Sequence, residues 1–332
     1  MTLKQTKRMI TVGIALGACL LSRPDYPVPP PGSRVVVDAH NCYPYNGRWG
    51  DRIERALSIG FPVAIEQDLF WYTDPRSGRS WSIVSHGEPV DGTEPIMRDY
   101  FFERIRPIME QALRDGNKGD WPLITLNLDF KSDEAAHHAA IWRLLGDYES
   151  WLCTAERSAD PSLVMPLHAG PLLVLTGEAD SQERDFFSPT SASERLRVFG
   201  AIHNVEADPS IPPDKVISGH ATNYRRWWNN PWSVVEKGGQ RRAGKWTSQD
   251  AQRLQSLVAY AHNQNLWIRF YTLNGHPHEL LARNGWDLGY DFGSRQAVEL
   301  RWRAAIAAGV DYLATDQYEE LAEFRQALMI HR

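Results

Sequence analysis

Six side chains in this sequence have the types and spacing for metal-assisted acid–base chemistry. His40 closes the run Val-Val-Val-Asp-Ala-His, and Glu66 and Asp68 sit in Ala-Ile-Glu-Gln-Asp-Leu. Asp129 and Lys131 end Leu-Asn-Leu-Asp-Phe-Lys, and His86 ends Trp-Ser-Ile-Val-Ser-His. Side chains two apart on a strand share a face, so Glu66 points with Asp68, and Asp129 with Lys131. Taken singly, an acid at a strand end is an ordinary turn or cap residue. Taken together, three carboxylates gathered on one point repel and raise one another's proton affinity, and such a group implies a cation. An all-oxygen ligand set favours Mg²⁺ or Ca²⁺ over zinc. Two histidines beside it can divide the roles of base and acid near neutral pH.

Those residues need elements to carry them. From Arg34 onward, short apolar or β-branched runs alternate with helical patterns, the mark of repeated βα units. Strands are expected at Val35–His40, Pro62–Trp71, Leu123–Lys131, Leu172–Thr176, Arg197–His203, Lys215–His220, Trp267–Asn274 and Tyr312–Asp316. Helices are expected at Trp49–Ile59, Ile96–Arg114, Glu134–Leu152, Ser248–Gln264, Arg295–Ala308 and Glu319–Met329, with Gly60, Gly116 and Gly309 as stops. Helical signal is weak between Pro161 and Pro213. The expected fold is α/β, a single-domain (β/α)8 TIM barrel, with a doubly wound open sheet as the rival. In such a barrel the chemistry sits where the strands end, and His40, Glu66, Asp68, Asp129 and Lys131 all end strands.

The first 33 residues read differently. Lys4, Lys7 and Arg8 precede an apolar run from Met9 to Leu21, and Leu-Gly-Ala-Cys places a candidate lipid-bearing Cys19 within it. Arg23 to Ser33 is rich in proline and reads as a tether. The expectation is an exported protein, periplasmic, secreted or membrane-anchored, with domain boundaries at 1–33 and 34–332. Beyond Cys19 only Cys42 and Cys153 remain, too few for a disulfide framework. Barrel topology puts Cys42 at the catalytic rim and Cys153 near the opposite end, so both are expected as free thiols. A net charge of −5 lacks the basic field that nucleic acid requires. Thirteen tryptophans raise the prospect of a cleft with flat aromatic walls. One aromatic stretch, Gly219 to Trp228, is expected on the rim after the sixth strand, where Tyr224 and Trp227 or Trp228 would form a wall for a choline-like headgroup and Arg226 would reach phosphate. At Trp267–Asn274 either Arg269 or the Thr272 face points inward, and the pattern leaves that open. His137, His138, His262 and His276 are read as structural.

A histidine ending strand one, Glu-x-Asp ending strand two, a second histidine on the following excursion and an acid ending strand three together resemble the phospholipase-C-like phosphodiesterase superfamily. It contains glycerophosphodiester phosphodiesterases, phosphatidylinositol-specific phospholipases C and sphingomyelinase D-like enzymes. The closing Asp311-Tyr-Leu-Ala-Thr-Asp316 extends the likeness over most of the domain. The resemblance implies His40 and His86 as catalytic residues and Glu66, Asp68 and Asp129 as ligands of Mg²⁺ or Ca²⁺. It also implies Lys131 as a phosphate contact; Asn41, Tyr224 and Arg226 are further substrate-binding candidates on their position at the expected rim. The implied substrate is a small-molecule or lipid phosphodiester, cleaved to a monoester or a cyclic phosphate. Asn41 and Gly87 depart from the glycerophosphodiesterase pattern, which has Arg and Asp there, and Asp129 replaces its Glu. The rivals are a glycoside hydrolase, which pairs carboxylates without metal, and a non-catalytic tethered binding protein.

Overall fold

The computed structural model describes residues 28–330 apart from 46–47, 192–193, 206–207, 238–242, 285, 287–288 and 290. The segment expected to direct export, its Cys19 and Arg23 to Pro27 of the expected tether lie outside the described residues. Eight parallel strands close into a barrel: β1 (Val36–Ala39), β2 (Val63–Thr73), β3 (Ile124–Phe130), β4 (Leu172–Thr176), β5 (Phe199–Ala201), β6 (Arg225–Pro231), β7 (Trp267–Tyr271) and β8 (Tyr312–Thr315). Each pairs with the next, and β1 pairs with both β8 and β2, which closes the ring. The TIM barrel expected from the strand pattern is therefore the fold, and the open sheet is not.

Helices α1 (Arg52–Ser58), α2 (Glu103–Asp115), α3 (Ala135–Asp147), α4 (Asp180–Phe186), α5 (Pro213–Val216), α6 (Ser248–Asn263), α7 (His278–Asn284), α8 (Arg295–Ala308) and α9 (Tyr318–Ile330) connect the strands. The longer ones carry the local signals that start and stop a helix. Thr247 and Asp250 form a reciprocal capping box at the start of α6. Gly116 and Gly309 end α2 and α8 in the left-handed conformation, at φ 62° and 80°. The weak helical stretch is explained by α4 and α5, of 7 and 4 residues.

Two expectations are corrected here. Lys215–His220 is not a strand: its first residues finish α5, and β6 is the Arg225–Pro231 segment that had been read as a rim loop. Tyr224 and Arg226 consequently stand at the beginning of a strand rather than on the loop beyond its end. Tyr224 is buried beside Gly200 and Phe187, and Arg226 lies over Phe199 and donates to the Asn223 and Met165 carbonyls. Neither lines the cleft.

Of the proline-rich segment, the described part packs on the barrel. Val28 is buried, the Pro29 carbonyl accepts from Trp267 Nε1 at 3.2 Å, and Gly32 N donates to Asp311 Oδ1 at 2.7 Å. Cys42 follows β1, Cys153 lies against Gly170 just before β4, and both are buried free thiols, as the topology predicted.

Candidate active site

β2 overshoots the barrel and doubles back. Its last five residues, Leu69 to Thr73, pair antiparallel with a return strand, Ser80–Val84. The return strand delivers Ser85, whose N–H donates to the Asp68 carbonyl at 3.0 Å, and so the next residue, His86, is tied down above Asp68. In the β2–β3 ladder Asp68 lies directly opposite Asp129, and Glu66 opposite Asn127. The parity argument therefore holds: one oxygen from each of Glu66, Asp68 and Asp129 falls within 4.8 Å of the others.

Lys131 and the histidines surround this acidic group. Lys131 Nζ is 2.8 Å from Asp129 Oδ2 and 3.2 Å from Asp68 Oδ2. His86 Nε2 is 4.0 Å from Asp68 Oδ2, and His40 Nε2 is 3.7 Å from Glu66 Oε1. His40 is held from behind by Asp316, with Nδ1 3.3 Å from Oδ1. Asp316 in turn accepts from Asn41 Nδ2 at 3.1 Å and Asn274 Nδ2 at 2.7 Å. Asn41 lines the cleft, but its amide is taken up by Asp316, His40 and the Tyr43 hydroxyl.

The ambiguity at Trp267–Asn274 is resolved in favour of Arg269. Its fully buried guanidinium donates to both Asp38 and Glu66, and its Nη1 reaches Asn229 Oδ1 at 3.0 Å. Asp38 and Asp316 were not singled out from the sequence as site residues, and Arg269 only as one of two alternatives. The available signals were the inward parity of Asp38 with His40 and of Arg269 with Tyr271. Of the four histidines read as structural, three bond within the fold: His137 to Ser82 and Ser132, His138 to Asp185, and His262 to Asp311. His276 instead lines the cleft against Trp286.

The electrostatics sort the three acids. Burial would raise Glu66, but Arg269, His40 and Lys131 outweigh it and hold the carboxyl down at about 2. Asp68 goes the other way: burial first, then repulsion from Asp129 and Glu66, push it well above the usual carboxylate range. Neither Asp68 oxygen has a hydrogen-bond partner of ordinary geometry, although Lys131 lies within ion-pair distance of one of them. For His40, burial lowers proton affinity, and the Glu66 and Asp316 carboxylates overcome that to bring it to about 8. Burial and then the Lys131 charge lower His86.

An orphaned buried carboxylate flanked by two more is a donor set that fits a hard divalent cation, and a single ammonium leaves the group under-neutralised. The residues present thus fit such an ion, with Glu66, Asp68 and Asp129 as its ligands.

His40, Glu66, His86, Asp129, Lys131, Arg269 and Asp316 face one cleft of about 830 Å³, lined also by Tyr43, Tyr45, Trp49, Arg52, Tyr271 and Trp286, with Asp68 buried beneath its floor. Flat aromatic walls are present, supplied by Trp49 and Trp286 (ring centroids 5.5 Å apart) rather than by Trp227 and Trp228, which are core. Among the described residues, three of the four non-glycine positions with positive φ, Asn41, Trp49 and Thr272, lie on this cleft. Strained backbone of that kind gathers where the surroundings hold side chains in set positions.

No family model matches the chain, and no curated protein matches it. Solved structures do. A calcium-dependent phosphoinositol-specific phospholipase C from a Pseudomonas species aligns over 89% of this chain and 93% of its own, at 16% identity and TM-score 0.47. A glycerophosphoryl diester phosphodiesterase from Parabacteroides distasonis aligns over 92% and 88%, at 14% identity and TM-score 0.41. A Plasmodium falciparum HPPK-DHPS with pteroate covers 90% of this chain but 49% of its own, at 9% identity and TM-score 0.45. At such identities and scores the likeness carries no functional argument, which rests on the side-chain geometry.

Proposed function

We propose that the chain is a phosphodiesterase dependent on a divalent cation, with His40 and His86 as its acid–base pair. The observation that carries this reading is the placement of two imidazole Nε2 atoms, 3.7 and 4.0 Å from different carboxylates of one three-acid group, with an ammonium between two of those acids. Phosphodiester cleavage asks for that set: a base for the attacking hydroxyl, an acid for the leaving oxygen and positive charge for the non-bridging oxygens. Bound by Glu66, Asp68 and Asp129, Mg²⁺ or Ca²⁺ would supply Lewis-acid charge neutralisation of the phosphoryl group. Three converging carboxylates also suit a cation better than the mechanism of glycosidases, which works with a pair of acids and no metal.

The protein's own groups set up the proton transfers. Asp316 fixes the His40 ring through Nδ1 and leaves Nε2 facing the cleft. His40, set on a rigid strand end beside Glu66, suits the hydroxyl that attacks, and the fraction of it that is neutral and able to act as base grows as pH rises through about 8. The side chain of His86 is 62% exposed and free to meet a departing alkoxide, and because its proton affinity is lowered the protonated fraction that can act as acid grows as pH falls. Lys131 serves as a second positive contact for phosphate.

The test compares an alkyl phosphodiester with a p-nitrophenyl ester in EDTA, Mg²⁺ and Ca²⁺. Activity should vanish in chelator. A general acid is needed least for the activated leaving group, so His86→Ala should lose far more rate on the alkyl ester than on the nitrophenyl ester, whereas His40→Ala should lose both alike. Rescue of the His40 variant alone would reverse the two roles. Undiminished turnover in either single variant on both substrates would end the reading.

A further inference from the structure

The chain enters the barrel at the end opposite the cleft, and it is fastened there. Residues 28–33 cross the N-terminal ends of the strands, against Val36 at the start of β1, Pro62 before β2, Pro122 before β3, Trp267 at the start of β7 and Asp311 before β8. Pro29, Pro30 and Pro31 have no N–H to donate, so the segment is held by its carbonyls and by the glycine that follows. The Pro29 carbonyl accepts from Trp267 Nε1 at 3.2 Å, and Gly32 N donates to Asp311 Oδ1 at 2.7 Å. The other oxygen of Asp311 accepts from Ile268 N and lies 2.9 Å from His262 Nε2. Gly32 has φ 80°, and a Cβ there would stand 2.8 Å from the His262 ring, so the turn fits glycine alone. Arg34 completes the fastening by donating to the carbonyls of Gly119, Asp120 and Pro122. Val28, itself buried, is therefore a fixed point at the closed end of the barrel.

The cleft lies at the other end, with His40, Asp129, Lys131 and Asp316 at or beyond the C-terminal ends of β1, β3 and β8. Leu21, the last residue of the apolar run, is seven residues before Val28. Fully extended, that stretch reaches about 25 Å, and counted from Cys19 about 32 Å. A domain of roughly 300 residues has a radius of gyration of about 19 Å and so measures about 50 Å across. Turning the cleft toward a surface that holds the apolar run would lift Val28 about 50 Å from that surface, farther than the connecting residues extend. The scissile bond of a phospholipid in the same surface lies at headgroup level, out of reach of the cleft. We propose that the segment before residue 28 attaches the chain to a membrane with the closed end of the barrel toward it, so that the cleft opens to water and takes a soluble phosphodiester rather than a phospholipid of that membrane. The substrate class rests on the phosphodiesterase reading, whereas the orientation can be measured without turnover.

The experiment has two arms on the full chain in phosphatidylcholine vesicles. In the first, a fluorescent donor is placed on Lys118→Cys, exposed on the turn before β3 at the closed end, or on Arg76→Cys, exposed at the tip of the hairpin that extends β2 beyond the mouth. Cys42 and Cys153 are buried, and the parent chain carried through the same labelling is the blank. Energy transfer to an acceptor lipid should be stronger from position 118 than from position 76. A Gly-Ser insert of about 40 residues between Pro27 and Val28, which extends to roughly 130 Å, should abolish that difference. Equal transfer from the two positions in the parent chain, the reverse order, or no association with vesicles overturns the proposal. A difference that survives the insert overturns it as well, because the orientation then owes nothing to the short connection. In the second arm, kcat/KM is compared for phosphatidylinositol in the same vesicles and for soluble glycerophosphoinositol, with the vesicles too dilute to meet one another. The soluble diester should be preferred by about 100-fold or more, since a connection that cannot span the distance gives an effective concentration near zero. Faster cleavage of the vesicle lipid overturns the proposal. If the transfer order is as expected and neither compound is cleaved, nor their ethanolamine and choline counterparts, the orientation stands and the phosphodiesterase reading falls.

Discussion

Asp68→Asn separates a carboxylate kept for a cation from one kept for the fold. Asp68 is fully buried and repelled by Asp129 and Glu66, with Lys131 Nζ 3.2 Å away as its cationic neighbour. A neutral amide of the same shape removes that repulsion, while Lys131 retains Asp129 at 2.8 Å. In EDTA the variant should therefore unfold at the same temperature as wild type or higher. With cation the order reverses. A ligand that binds only the folded state, present at 100 times its Kd, stabilises by about 2.7 kcal/mol. For a barrel of roughly 300 residues, unfolding entropy of about 2.1 cal/mol/K per residue makes that a rise in Tm of about 4 °C. Wild type should show this rise as Ca²⁺ or Mg²⁺ is titrated, and the variant should lack it. The measurement is thermal unfolding followed by circular dichroism, with no substrate and no turnover. A wild-type Tm that does not move with either ion, or an equal rise in the variant, refutes the assignment of these acids to a cation.

Two further outcomes follow from the interior of the barrel. Arg269→Met strands Asp38 and Glu66 as buried unpaired acids, and breaking such a pair costs about 3–5 kcal/mol, readable as a fall in the urea midpoint at neutral pH. His40, raised to about 8 from 6.5, contributes stability that is fully present below pH 6.5 and is lost as pH rises through 8. In EDTA that contribution is about 2 kcal/mol. His40→Gln should flatten the stability profile across this window, and in Asp316→Asn the His40 proton should titrate at lower pH by NMR.

Strands β2 and β3 were legible because their information is local. Alternation sets which side chains face inward, and the acids announce themselves at the strand ends. β6 was not legible, because what makes it a strand is elsewhere in the chain. Arg225-Arg-Trp-Trp-Asn-Asn-Pro has the polarity of a loop. Arg225 is nevertheless satisfied by Glu183, Asp180 and the Ala201 and Glu178 carbonyls, and Trp227 Nε1 by the Thr176 carbonyl. Meanwhile Lys-Val-Ile-Ser at 215–218 offered an apolar run that short-range reasoning accepts as a strand, though Pro212 and Pro213 start a helical turn there. Placing Tyr224 and Arg226 on the rim was a consequence of that one misplaced strand. Arg269 was undecidable for a related reason: both faces of Trp-Ile-Arg-Phe-Tyr carry large residues, and its partners Asp38 and Glu66 lie 231 and 203 residues away in the chain.

The charges of the barrel mouth form two layers with different dependencies. Deeper in, Asp38 and Glu66 share Arg269, and Asn127 Nδ2 adds a further donor to Glu66 at 3.2 Å. That layer is close to neutral without any ligand, because His40 also faces Glu66 and carries a proton through most of the neutral range. One inward position further along β2, Asp68 meets Asp129, and Lys131 is the cation in ion-pair contact with both. Two carboxylates against one ammonium leave the outer layer short of positive charge, and burial makes Asp68 the group that bears the shortfall. Removing a charge from the outer layer should therefore change what cation does and leave the cation-free fold intact. Removing one from the inner layer should damage the fold whether or not cation is present. Asp68→Asn and Arg269→Met test these two statements in a single chelator titration. Should Arg269→Met regain wild-type stability when cation is added, the layers are not separable and the inner network cannot be the scaffold that holds the outer one.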